Sequence, residues 1–204
     1  MSQETNRIRL AGTVAEDVKY SHSMYGESFY DFPLKVRRRS GNHDVLNVTI
    51  SDRLMTEIPR TGDDISIKGQ IRTYNENLSG TNRLKIVVFC LNPPETAAYH
   101  VNEVFLEGYL CREPYYRITP SGRELSDIIL AVNRGIGKSD YIPCIVWGRN
   151  ARYLQNMHTG THLKISGRLQ SRMYNKVFDD GSAIKRTAYE VSVVSLEVLE
   201  NAGL

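Results

Sequence analysis

The fold is decided by two stretches: Asn6-Arg-Ile-Arg-Leu-Ala-Gly-Thr-Val14 and, ninety-six residues later, Asn102-Glu-Val-Phe-Leu-Glu-Gly-Tyr-Leu110. Ile8, Leu10, Gly12 and Val14 take alternate positions, as do Val104, Leu106, Gly108 and Leu110. That two-residue period is the signature of a strand with one face in a core. The same offset aligns the chain with itself, without a gap, from Asn6 to Ser51. Identities include Tyr20/Tyr116, Asp31/Asp127, Leu34/Leu130, Arg38/Arg134 and Asp44/Asp140, eleven in all, where chance at ordinary composition gives about three. After a two-residue insertion the match resumes with Gly62/Gly160, Ile67/Ile165 and Gly69/Gly167. One unit of about a hundred residues is therefore written twice.

Each copy reads as a string of strands. Phe32, Leu34 and Val36 alternate, then Leu46, Val48 and Ile50. The second copy answers with Ile128, Leu130 and Val132, then Ile142, Cys144 and Val146. A short helix is expected next, over 52–58 and over 149–158, closed by Pro59 and by Gly160. Two more strands end each copy, over 65–74 and 84–89, and over 163–174 and 188–199. Three strands, a helix and two strands is the order of an OB-fold, a five-stranded Greek-key barrel. The expectation is an all-β chain of two tandem OB-folds, residues 1–91 and 99–204. The linker, 92–98 (Asn-Pro-Pro-Glu-Thr-Ala-Ala), is stiffened by two prolines. A generic small β-barrel is the plainer alternative.

Composition excludes several classes. No apolar run approaches the roughly eighteen residues of a membrane span, and the N-terminus lacks the apolar core of a secretory signal. A cytosolic, nucleoid-associated protein is expected. Cys90, Cys111 and Cys144 form no CxxC pair, so neither a disulfide framework nor a cysteine zinc site is expected. His158 and His162 are four apart, but Gly160 interrupts the helix that a metal pair would need. There is no phosphate-binding glycine loop and no nucleophile elbow, and Asp179-Asp180-Gly181 reads as a turn. The reading is a non-enzyme with no cofactor. A net charge of +3 is mild for a duplex binder, whereas single-strand binders lean on stacking.

The binding candidates lie in the second copy. Opposite the core face of Asp140-Tyr-Ile-Pro-Cys-Ile-Val-Trp147 stand Tyr141, Pro143, Ile145 and Trp147. Aromatics on a sheet face that need not be buried suit stacked bases. Trp147 packing beneath the following helix is the alternative. In the next hairpin Arg168, Arg172, Tyr174, Lys176 and Phe178 share one face if the strand is regular, with Lys185-Arg186 returning beside them. Cations there reach phosphates and aromatics reach bases, unless the hairpin is only a solvated charged arm. Where the second copy has its platform, the first shows Val45, Asn47, Thr49 and Ser51. It offers instead Lys35, Arg37 and Arg39 on one side of a strand, with Tyr20, Tyr25 and Tyr30 nearby.

At these residues the second copy resembles the bacterial single-stranded-DNA-binding protein family. The matching stretches are Asn102–Gly108, Arg117-Ile-Thr-Pro-Ser-Gly122, Leu130-Ala-Val-Asn-Arg134, Ile142-Pro-Cys-Ile-Val-Trp-Gly148, Gly167-Arg-Leu-Gln-Ser-Arg172 and Tyr189-Glu-Val191. The first copy resembles it only through the repeat. The resemblance implies sequence-tolerant binding of single-stranded DNA in replication, recombination or repair. It implies base stacking on Trp147, Tyr141 and Tyr174 and backbone contacts from Arg168 and Arg172, to which Arg117, Arg134, Lys176, Arg186, Lys35 and Arg37 are added as candidates. Family members commonly use four such barrels, so a homodimer is expected, its unpaired first strands being candidate edges. Typical members end in an acidic, aromatic-tipped tail, whereas this sequence stops at Leu204 soon after its last strand. An accessory or specialised member is therefore expected. The rival from another class is an OB-fold assembly module with little or no affinity for DNA.

Overall fold

The computed structural model describes residues 5–78, 81–135, 137–177 and 181–199. The first half comprises β1 (Asn6–Val14), β2 (Lys19–Met24), β3 (Glu27–Arg37), β4 (His43–Ser51), β5 (Asp64–Leu78) and β6 (Thr81–Cys90). After β7 (Glu95–Thr96) the second half repeats the order: β8 (Val101–Leu110), β9 (Tyr115–Ile118), β10 (Glu124–Gly135), β11 (Lys138–Trp147), α1 (Arg149–Leu154), β12 (His162–Val177) and β13 (Ala183–Leu199).

Each half closes on itself. β1 pairs with both β3 and β5, β3 with β4, and β5 with β6, and the parallel pair β4–β6 completes the ring. β8, β10, β11, β13 and β12 close in the same way, with β11–β13 as the parallel pair. Alternate residues fill the barrels: Leu10, Leu34, Leu46, Ile67 and Ile71 in one, Leu106, Leu130, Ile142, Val146 and Leu163 in the other, all essentially buried. These are tandem OB-folds. The repeated glycines mark where strands cross most closely. A Cβ on Gly12 would lie 2.4 Å from the Lys35 carbonyl oxygen, and one on Gly108 would lie 2.3 Å from that of Ala131.

Four local features differ from the sequence expectation. β2 and β9 are additional strands. The six residues of β2 are all exposed, so no alternation announces them, and the strand is held by a Tyr25-Gly26 turn with both φ values positive (53° and 73°). The first half has no helix after β4, only a 3₁₀ turn at Asp52–Leu54. A seven-residue stretch ending before a proline cannot repay helix nucleation, because the residue before proline is barred from the α region. In the second half α1 stops at Leu154, short of His158. The proline-containing linker is also not free, since β7 pairs with β5 (Ile65 opposite Thr96).

The two first strands are not open edges. β1 and β8 pair antiparallel with each other, Ile8 opposite Val104 and Leu10 opposite Asn102. The pairing joins both barrels into one sheet, with β6-β5-β1-β8-β12-β13 running continuously through the middle. It therefore removes the unpaired edges on which a homodimer was expected to form.

Candidate nucleic-acid interface

The outward face of the second barrel is built on β9, β10 and β11. Cross-strand partners bring Ala131 beside Tyr141, Ile129 beside Pro143, and Leu125 beside Trp147. Tyr141 is 53% exposed. Trp147 is half-buried at the strand end, and the Arg123 guanidinium lies 4.2 Å from its ring centre. A cation thus lies over one face of the indole. Ile145 is buried, because β13 runs beside it in the parallel pair, Ile145 opposite Ser192.

The hairpin β12–β13 flanks this face. Its pairing runs unbroken from Gly167 to Val177, so Arg168, Arg172 and Tyr174 lie on one side. Tyr174 is 37% exposed, with the Arg172 guanidinium 5.8 Å from its ring centre and Arg186 across the ladder. Lys176 has its backbone in this ladder, opposite Ile184, but its side chain lies outside what is described, as does the whole of Phe178. Carboxylates hold the cations in place. Arg117 Nε donates to Asp127 at 2.9 Å, and Arg172 Nε lies 3.7 Å from Glu190 Oε1. Glu190 also accepts from Gln170. An open groove lined by Tyr115, Asp127, Ile129, Pro143 and Glu190 runs between β9 and the hairpin.

Two predicted cations are instead brought to the seam between the barrels. Arg134 donates through Nε to Asp140 at 2.9 Å, and a second guanidinium contact to the same carboxylate makes the pair bidentate. Asp140 is fully buried and also accepts from the Thr73 backbone amide at 2.7 Å, while Arg72 Nη1 lies 3.3 Å away. The other side of the seam mirrors this. Buried Asp44 takes a bidentate contact from Arg38, accepts from the Ser171 amide at 2.7 Å, and lies 3.8 Å from Arg168 Nη1. That nitrogen of Arg168 is buried, with no hydrogen-bond partner among the described residues. Burial raises the Asp140 carboxyl, but the Arg134 hydrogen bonds, the Thr73 amide and the nearby Arg72 outweigh it and hold the group below the usual carboxylate range. The identities Arg38/Arg134 and Asp44/Asp140 are thus one clasp, made twice.

The first barrel presents a different face. Asp31 accepts from Thr49 at 2.7 Å and from Ser21 at 3.1 Å, and Lys85 pairs with it at 3.3 Å. Lys35 and Arg37 are exposed on β3, with His43 opposite Arg37 and His100 Nδ1 accepting from the Arg37 amide at 2.9 Å. Some desolvation, then Lys35, Arg37 and His100, keep the His43 pKa below its ordinary value. The face is also completed by the other half, because Asn47 donates to the Tyr189 hydroxyl.

Sequence reasoning passed over Tyr115 and Tyr74, 62% and 43% exposed, and Arg123. Tyr115 sits on the short β9, where four residues give no periodicity, and Arg123, just before β10, becomes relevant only because β10 runs beside Trp147. Burial raises the Cys90 thiol to about 12 and raises that of Cys144 as well, so neither is a nucleophile at neutral pH. Among the described residues no cluster of three His, Cys, Asp or Glu side chains is placed to hold a metal ion, and no helix is long and apolar enough to cross a membrane.

Two closed Greek-key barrels with an aromatic and cationic outer face define a tandem OB-fold protein. The sequence profile of the Single-strand binding protein family matches residues 101–199. The single-stranded DNA-binding protein of Clostridium tetani is 36% identical over 107 residues, which are 49% of this chain and 71% of that one. That of Oceanobacillus iheyensis is 36% identical over 110 residues, 50% of this chain and 66% of that one. The chain belongs to the single-strand binding protein family, whose members are binding proteins and not enzymes. It spans between about half and two thirds of most of the curated relatives it matches. In fold it resembles a deletion mutant of the single-stranded DNA binding protein from Thermus aquaticus along its whole length, with a TM-score of 0.76 at 21% identity, covering 98% of that chain.

Proposed function

We propose that this chain binds single-stranded DNA with little sequence preference, in replication, recombination or repair within the cytoplasm. The observation that carries the reading is the outer face of the second barrel, where Tyr141, Trp147 and Tyr174 stand with exposed ring surface among cations. Bases stack on such rings at about 1–3 kcal/mol each, whatever their identity. Arg172, Arg186, Lys176 and Arg117 serve the phosphates of strand lying on that face. Lys35 and Arg37 extend a weaker, electrostatic track onto the first barrel. Arg134 and Arg168 act mainly by holding the seam. The relatives named as single-stranded DNA-binding proteins support the reading.

Trp147 is the sole tryptophan, so its fluorescence reports on the site. Titration of the full chain with oligo-dT quenches it, and duplex of the same length competes poorly. If neither oligo-dT nor mixed-sequence single strand alters the fluorescence or the anisotropy of a labelled oligonucleotide, the face serves assembly with other proteins instead. We place a second copy of the chain on the outward face of the central sheet. Arg7, Arg9 and Lys68 lie on its first half, Lys68 within 3.5 Å of Glu95, and Glu103, Glu107 and Glu197 on its second, where Lys164 lies between the last two and Glu107 pairs with it and with His162. A two-fold axis sets the basic half against the acidic half.

A further inference from the structure

The outward faces of the two barrels meet at a junction that the pseudo-symmetry makes twice but furnishes differently. On one side the Tyr141 amide donates to Thr73 Oγ1 at 3.0 Å, which sets the start of β11 in the second half directly against β5 of the first. The next residue on β5, Tyr74, is 43% exposed, and Tyr141 is 53% exposed. The Arg134 guanidinium lies 5.2 Å from the Tyr74 ring centre while it is fixed by Asp140 and donates to the Thr73 carbonyl at 3.3 Å. A cation anchored by a buried carboxylate thus braces the tyrosine in one orientation. On the mirror side the Val45 amide donates to Ser171 Oγ at 3.2 Å, and the residues in the places of Tyr141 and Tyr74 are Val45 and Arg172. One junction is aromatic from both halves, and the other is aliphatic and cationic.

We propose that Tyr74 and Tyr141 together form a base-binding subsite at the aromatic junction, through which a single strand leaving the second barrel crosses to the first. The ligand class is the nucleobase of an unpaired strand, which stacks on ring faces without regard to its hydrogen-bonding edge. Arg134 is a positioning residue there: with its charge committed to Asp140, it orients Tyr74 and leaves phosphate binding to other cations. The subsite gives the first half a share in stacking that its own β4, with Val45, Asn47, Thr49 and Ser51, does not provide. It makes each half a contributor to one continuous path.

The inference rests on the single-strand reading and extends it. Its test uses the full chain and fluorescein-labelled dT oligonucleotides of increasing length, read by anisotropy. Tyr74→Ala weakens binding roughly five- to a hundredfold for oligonucleotides long enough to pass the junction, and much less for the shortest that still bind. Tyr74→Phe keeps nearly wild-type affinity, because the ring face and not the hydroxyl is used. In the double variant Tyr74→Ala/Tyr141→Ala the two losses fall short of multiplying, as residues sharing a base require. Bromodeoxyuridine oligonucleotide irradiated with the wild-type chain cross-links to the peptide carrying Tyr74, which tests the subsite without relying on a variant's folding. If Tyr74→Ala binds every length like the wild type and no cross-link maps to that peptide while Trp147→Ala weakens binding, the subsite is refuted and the single-strand reading stands. If the wild type binds no oligonucleotide, both fall.

Discussion

At the scale of single residues, the two chemistries of this molecule are separated by burial. Tyr141, Trp147 and Tyr174 keep ring surface toward solvent, and a ring left in water among cations is available to a base. Replacing Trp147 by Ala costs about 1–3 kcal/mol of oligo-dT affinity, measured by anisotropy, with little change in unfolding midpoint. Asp140 stands at the other extreme, with no exposed surface and hydrogen bonds from Arg72, Thr73 and Arg134. Asp140→Asn leaves Arg134 and Arg72 without their counter-charge. Because those side chains retain 22% and 15% of their exposure, the loss in urea unfolding is about 3 kcal/mol, at the low end for a broken buried pair. The pH dependence follows from the same group. Its folded pKa is depressed, so its stabilisation is complete above the ordinary carboxylate value and is lost as pH falls through the lowered one. Urea midpoints taken from neutral pH to strong acid fall less steeply in Asp140→Asn than in the wild type.

At the scale of elements, the alternation of apolar residues made most strands legible. β1, β3, β4 and their counterparts β8, β10 and β11 lie where Leu10, Leu34, Leu46, Leu106, Leu130 and Ile142 place them. β2 escaped because a strand with no buried face carries no period. The helix expected over 52–58 reduced to one 3₁₀ turn because Pro59 denied it a second turn. The glycines were legible as repeated positions, but not the reason for Gly12, Gly69, Gly108 and Gly167, which is a carbonyl from a strand twenty or more residues away. Gly108→Ala sets a methyl group 2.3 Å from the Ala131 carbonyl oxygen, and a shift of β8 against β10 costs about 1–3 kcal/mol. Gly122→Ala is destabilising for a different cause, its φ of 77°, and it leaves the β8–β10 contact intact. Thermal unfolding of the two variants, with the amide protection of β8 followed by hydrogen exchange, separates them.

At the scale of the whole molecule, the pairing of β1 with β8 and the double clasp at the seam make the two barrels one body. The halves are not independent modules to be cut apart. Residues 99–204 alone expose the β8 edge, from Val101 to Leu106, that β1 covers in the full chain. We expect that fragment to self-associate, seen by light scattering as a mass above that of one copy. The full chain offers no such edge at β1 or β8. For it the charge-divided sheet face predicts a mass of twice 23.2 kDa, weakening as salt is raised; a concentration-independent 23.2 kDa refutes the dimer.

The repeat, the barrel order and the aromatic residues of the second half were legible in the chain alone, because each is written in local patterns: an internal offset, a period of two, and Tyr141 and Trp147 on one face of a strand. It displayed Arg38 and Asp44 twice without their meaning, since the partners that complete the clasp, Ser171 and Thr73, come from the opposite copy. Tertiary packing settled that the first strands pair within the chain, that Arg134 and Arg168 turn to the seam, and that β5 at Thr73 meets the start of β11 at Tyr141. Those facts depend on which surfaces of two similar barrels meet. Patterning specifies a face that must be buried or paired, and the packing of one copy against the other selects what covers it.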